Sequence, residues 1–144
     1  MGGVSRSDWV VLLLGERALD RIRLMKALFL IWHRMGRPAG DFFEFVPYMY
    51  GPCSFELYTV LGELERGHLA SQAPHDVTRW APYYLTLKGE EAAQQIRVRL
   101  DPETIKRIKA IVSEVADMSF DALLQRVYAE APDFAARSVV NWRN

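Results

Sequence analysis

FELYTVLGELERGHLA, residues 55–70, decides the fold. Leu57, Tyr58, Leu61 and Leu64 fall on one face at helical spacing, while Glu56, Thr59, Glu63 and Arg66 fall on the other. The spacing predicts an amphipathic helix over about 55–66, stopped by Gly67. Beyond it, residues 68–71 and 80–86 read as two short strands joined by a polar turn region at 74–79. Tyr83, Tyr84 and Leu85 give the second strand its bias, and Pro82 belongs near an edge. Two short strands after an amphipathic helix make a wing.

Upstream, Ser7 can cap a first helix carrying Trp9, Val10, Val11, Leu12, Leu13 and Leu14, with Gly15 as its stop. Apolar almost all round, this helix should be buried or pressed against a partner. A second helix is predicted over 20–35, closed by Gly36 with Pro38 beyond. From Ala27 to Trp32 it is apolar without a break, which places it at the centre of the core. Phe42, Phe43, Phe45 and Val46 have the composition of a strand, which Pro47 confines to an edge. In the following Tyr48-Met49-Tyr50-Gly51-Pro52, the glycine and proline are expected to shape the start of the third helix. A binding surface formed by the tyrosines is the other reading of that block.

Downstream, Thr86 can cap a fourth helix over 88–99, with Glu90 near its positive end. Asp101 can cap a fifth with Pro102 at its first position, and Ser119 a sixth. Ile105, Ile108, Ile111, Val112 and Val115 mark the buried stripe of the fifth helix. Phe120, Leu123, Leu124 and Val127 mark that of the sixth, and Pro132 ends it or begins a short turn through Phe134. The order helix, helix, strand, helix, strand, strand, helix is that of a winged helix-turn-helix. The expected fold is mainly α (α+β), a winged-helix core over about 7–99 with C-terminal helices over about 101–135 packed on it. With no long linker or repeat, residues 1–144 read as one domain.

The residues that carry this order also resemble a family. Arg23-Leu24-Met25-Lys26 followed by Phe29-Leu30 resembles the Arg-Leu-x-Lys-x-x-Phe-Leu signature of small YwgA-like bacterial proteins. Those are relatives of the Panacea domain, to which the antitoxin SocA belongs. Residues 48–54 are similar to their Tyr-x-Tyr-Gly-Pro-Tyr-Ser block, with Cys53 in place of the usual tyrosine. Leu57, Leu61, Leu64, Gly67 and Leu69 fit the helix and strand that follow. Leu85-Thr86-Leu87-Lys88-Gly89 fits the Leu-Thr-x-Lys-Gly that closes a wing, and Val127-Tyr128 and Pro132 fit the end. The resemblance covers roughly residues 12–134 and implies an antitoxin-like, regulatory or defence-associated role.

Composition narrows the function further. Eighteen basic residues balance eighteen acidic ones among 144, so no general attraction for nucleic acid exists and any such binding needs a local patch. The charges are unevenly spread. Residues 17–37 hold six bases against one acid, and residues 41–66 hold five acids against one base. Glu56, Glu63 and Glu65 on the third helix oppose the usual docking of that element in a DNA groove. This favours a protein-interaction module whose partner is a toxin, an effector or a second copy of the chain. The alternative is a DNA-binding transcriptional regulator reaching phosphates from helix two and the wing. The candidate binding residues are Arg21, Arg23, Lys26, Arg34, Tyr48, Tyr50, Arg79 and Lys88.

Catalysis has little to stand on. Cys53, the only cysteine, has no histidine near it in sequence and reads as a small hydrophobe. His33, His68 and His75 lack the spacing of a zinc site, and no phosphate-binding glycine motif is present. No enzyme activity, metal or cofactor is expected. A single cysteine and an apolar stretch at Trp9–Leu14 too short to cross a bilayer lead to a cytoplasmic expectation without a membrane partner.

Overall fold

The computed structural model describes residues 3–36, 41–74 and 81–139. Their elements are α1 (Arg6–Glu16), α2 (Arg21–Arg34), β1 (Val46–Tyr48), β2 (Gly51–Cys53), α3 (Glu56–Arg66), β3 (Ala70–Gln72), β4 (Tyr83–Leu85), α4 (Leu87–Arg97), α5 (Pro102–Asp117) and α6 (Phe120–Glu130). A 3-10 turn, Pro132–Ala135, follows α6. The protein is mainly helical, and its strands form two separate antiparallel pairs, β1–β2 and β3–β4.

Helix α1 starts earlier than its sequence suggests. The cap is Ser5 and not Ser7: its Oγ accepts from Asp8 N, and the Asp8 carboxylate accepts from Ser5 N, each at 3.1 Å. That reciprocal box satisfies two otherwise orphaned donors, which Ser7 has no acid in register to match. Gly15 lies inside the last turn and does not stop the helix. A Cβ there would stand 3.2 Å from Ala93 Cβ, so the missing side chain lets α1 and α4 approach. Trp9 to Leu14 are all buried.

Helix α2 begins where expected. Asp20 Oδ1 accepts from Ile22 N and Arg23 N at 3.0 and 2.9 Å. Every residue from Leu24 to Ile31 is buried, and α1, α5, α6 and β2 all pack against this helix. It is the centre of the core, as its unbroken apolar run requires.

The strand expected over 42–46 is displaced. Phe42, Phe43 and Phe45 are buried without strand pairing, and β1 begins only at Val46. Their rings fill the core: Phe42 meets Trp9 edge-on at 5.2 Å, and Phe45 meets Phe29 at 5.4 Å. The block expected to shape the start of helix three instead forms the end of β1, the turn and most of β2 of a hairpin. Its register pairs Tyr48 with Gly51, Pro47 with Pro52 and Val46 with Cys53. The two prolines face each other one pair beyond the turn. There the backbone N–H of an antiparallel ribbon points away from its partner, so neither proline removes a ladder bond.

Helix α3 buries Leu57, Val60, Leu61 and Leu64. Tyr58, expected on that face, is 43% exposed and Val60 takes its place, because position 60 completes the helical stripe better than 58 does. Gly67 is the cap at φ −83°, and the left-handed residue that turns the chain is the next one, His68, at φ 61°. Strands β3 and β4 pair Ala70 with Leu85, Ser71 with Tyr84 and Gln72 with Tyr83. Leu19, between α1 and α2, exchanges backbone hydrogen bonds with Tyr83 at 3.2 and 2.8 Å.

Helices α4 and α6 keep their expected side-chain caps, whereas Asp101 holds the cap position of α5 without a side-chain hydrogen bond to it. Thr86 Oγ1 accepts from Gly89 N and Ser119 Oγ from Ala122 N. The α5 stripe is buried at Ile108, Ile111, Val112 and Val115, with Ile105 partly covered.

Candidate functional site

A cavity of about 290 Å³ opens between the first two turns of α2, the β1–β2 hairpin and the start of α3. The hairpin supplies Tyr48, Met49, Tyr50 and Cys53, α2 supplies Arg21, Met25 and Lys26, and α3 supplies Tyr58. Four of the residues expected to bind, Arg21, Lys26, Tyr48 and Tyr50, thus share one site.

Local geometry explains how the hairpin holds its tyrosines. Gly51 sits at φ +88°, the left-handed region open to glycine, and the ring of Tyr128 lies 3.0 Å from where a Cβ would be. Tyr48 packs edge-on against Phe55 at 5.1 Å, and Tyr50 against Phe120 at 5.5 Å. The hairpin is also tied to the chain's later part, since Val139 N donates to Met49 O at 2.9 Å.

Lys26 forms the floor. Its side chain is buried and its Nζ donates to Pro52 O at 3.0 Å. Burial lowers its pKa to about 8, outweighing an opposing influence of Cys53. Burial likewise pushes up the Cys53 thiol and the Tyr58 phenol, leaving both poorly suited to act as nucleophiles near neutral pH. Ser54 N donates to Met25 Sδ at 3.2 Å, and Ser54 Oγ is buried without a hydrogen-bond partner among the described residues. Ser54 caps nothing, because Phe55 holds the cap position of α3.

The other expected binding residues lie elsewhere. Arg23 Nη1 donates to Asp20 Oδ2 at 2.7 Å, and Nη2 donates to Met118 O at 2.9 Å, which ties α2 to the start of α6. Arg34 forks onto Glu114 at 2.9 and 3.0 Å and onto Glu130 at 3.0 and 2.5 Å. Its hydrogen bonds, to Glu130 first and Glu114 next, raise the guanidinium pKa and hold both carboxyls below their usual range. Arg126 joins the same cluster through Glu114. Lys88 Nζ donates to Gly67 O at 3.1 Å, beyond the end of α3. Arg79 and His75 lie outside the described residues.

Tyr58, Met25 and Cys53 were not expected to share a binding surface. Tyr58 carried a usable signal: position 58 adds a residue beside a stripe already complete at 57, 60, 61 and 64. The apolar rim is likewise visible only in three dimensions. Val46, Met49 and Phe55 are 48%, 42% and 52% exposed around the same hairpin. Among the described residues no cluster of three or more metal-ligating side chains occurs, and no helix is long and apolar enough to cross a membrane. No known protein family, curated protein or solved structure matches the chain.

Proposed function

We propose that this chain is a non-enzymatic binding module on a winged-helix core, an antitoxin-like or defence-associated domain that holds a protein partner through the β1–β2 hairpin and the start of α3. One observation carries the reading. Arg23 and Arg34, two bases meant for a nucleic-acid patch, are paired with carboxylates inside the fold and Lys26 is buried, whereas Val46, Met49 and Phe55 stand exposed on and beside the β1–β2 hairpin and Tyr58 on α3. Exposed aromatic and methionine side chains beside a concavity suit an interface anchor. The outward face of α3 adds Glu63 and Glu65, both exposed, which repel phosphates and suit a basic partner.

The winged-helix reading is supported by the β3–β4 hairpin directly after α3 and by the bridge from Leu19 to Tyr83. That bridge adds a third strand position from the segment between the first two helices. Helices α5 and α6 then pack on α2 as additions to that core, within one domain. The likeness to YwgA-like and Panacea proteins rests on the motifs quoted above and fits a cytoplasmic partner-restraining role.

The test is purification of the tagged full chain from its own cells, with light scattering on the eluted species. A stoichiometric complex with a protein, lost in Phe55→Asp and Met49→Asp, is the expected result. A wild-type chain that stays monomeric and retains no protein would sink the proposal. Duplex DNA bound with an affinity that falls steeply with salt would shift the assignment to the transcriptional regulator.

A further inference from the structure

The floor of the cavity holds a charge beside which no carboxylate stands among the described residues. Lys26 is 2% exposed, and an ammonium can donate three hydrogen bonds. One is found among the described residues, to Pro52 O at 3.0 Å. Among the described residues no aspartate or glutamate lines the cavity, and its other charged residue, Arg21, is a second cation. A buried ammonium without a counter-ion is costly until something completes it. The remaining walls are apolar or phenolic, led by Met25, Tyr48 and Tyr58, and the volume of about 290 Å³ is at the lower limit of ligand pockets.

We propose that this cavity binds a carboxylate carried on an apolar body the size of one side chain. The carboxylate meets Lys26 and Arg21, and the body lies among the tyrosines. Phosphate is the weaker fit. The start of α2 would be its natural seat, but the N–H groups of Ile22 and Arg23 are already held by Asp20 Oδ1. A carboxylate brings one charge and two acceptor oxygens, which suits one ammonium and one guanidinium. The proposal goes beyond the partner reading and does not rest on it. The acid could arrive free or as the last residue of another chain.

The pH dependence follows from the groups that face Lys26: Arg21 from its own helix, Tyr48, Tyr50 and Cys53 from the hairpin, and Tyr58 from α3. Burial sets Lys26 at about 8, and the thiol of Cys53 and the phenol of Tyr58 are both raised, so they stay neutral where Lys26 loses its proton. Binding needs the ammonium, so affinity falls as pH rises through that point.

Calorimetric titration of the full chain with phenylacetate, phenylacetamide, inorganic phosphate, and acetyl-Gly-Phe as free acid and as amide tests this. Phenylacetate is expected to bind while phenylacetamide does not, with affinity about tenfold weaker at pH 9 than at pH 7. Lys26→Met is expected to weaken it by about tenfold or more. Tighter binding of the dipeptide acid assigns the site to a chain terminus, and tighter binding of phenylacetate to a free acid. Equal binding of acid and amide, preference for phosphate, a pH-independent affinity, or no binding by any probe overturns the proposal. Those readouts use the unsubstituted protein and stand even if Lys26→Met does not fold. They also leave the partner reading intact, since that depends on the exposed rim.

Discussion

Lys26 concentrates the tension between stability and function in one side chain. Its pKa falls from an ordinary 10.5 to about 8 because burial penalises the ammonium. The folded state therefore binds this proton more weakly than the unfolded chain. The penalty is absent above about pH 10.5, grows as pH falls, and is complete below about pH 8. The interval corresponds to roughly 3 kcal/mol. Cys53, Tyr58, Tyr83 and Tyr128, all raised by burial, slope the opposite way, since their contribution is lost as pH rises. The difference between two proteins isolates the lysine. Wild-type stability minus that of Lys26→Met, from urea midpoints, is expected to rise between pH 8 and 10.5, and the variant should be at least as stable at pH 7. A flat difference would mean that the ammonium is already compensated within the fold. Arg34 is the contrasting case, a guanidinium that closes a circuit with Glu114 and Glu130 and joins α2, α5 and α6.

At the scale of elements, the junction of β4 and α4 leaves less room for a side chain than any other glycine position among the described residues. A Cβ on Gly89 would lie 2.1 Å from the carbonyl oxygen of Leu69, a backbone atom that cannot swing aside. Thr86 Oγ1 caps α4 and also donates to His68 O at 2.6 Å, so helix and hairpin share one anchor. Gly89→Ala is expected to cost about 2–4 kcal/mol, measured by thermal or urea unfolding, because α4 must shift or the β3–β4 pairing must break. A loss below about 0.5 kcal/mol would show that the two elements are not locked. The helices were legible in the sequence because their signals are local: Thr86, Asp20 and Ser119 sit at caps, and the α5 stripe repeats at helical spacing. The β1–β2 hairpin was not. Its aromatic prelude mimics a strand but serves the core, and its prolines argue against pairing unless the register is known. The site was legible only as residue types. Tyr48, Tyr50 and Lys26 stood out, yet only the hairpin's fold over α2 brings them to one cavity, and no spacing in sequence discloses that Lys26 is its buried floor.

Across the whole molecule, equal numbers of bases and acids give neutrality, and several bases are paired with acids of distant elements. Arg97 reaches Glu16 at 3.3 Å, Arg99 reaches Asp8 at 3.4 Å and Arg17 reaches Asp117 at 3.4 Å, joining the first helix or its end to α4, to the segment after α4 and to α5. The exposed Arg17–Asp117 pair contributes at most about 1 kcal/mol, but together the three remove positive charge from any outward strip. The exposed carboxylates of α3 remain, and they decide what that helix can meet. If α3 holds the position of a recognition element beside the β3–β4 hairpin, its charge alone keeps it from phosphates. Glu63→Lys with Glu65→Lys replaces two carboxylates by two ammonium groups on its solvent face. The doubly substituted protein is expected to acquire duplex binding, with a log–log salt slope near −0.9 for each phosphate it neutralises. Fluorescence anisotropy on a labelled duplex at low salt reads this directly. A variant that folds like the wild type and still ignores DNA would show that α3 is not presented as a recognition helix and that more than its charge keeps it from a duplex.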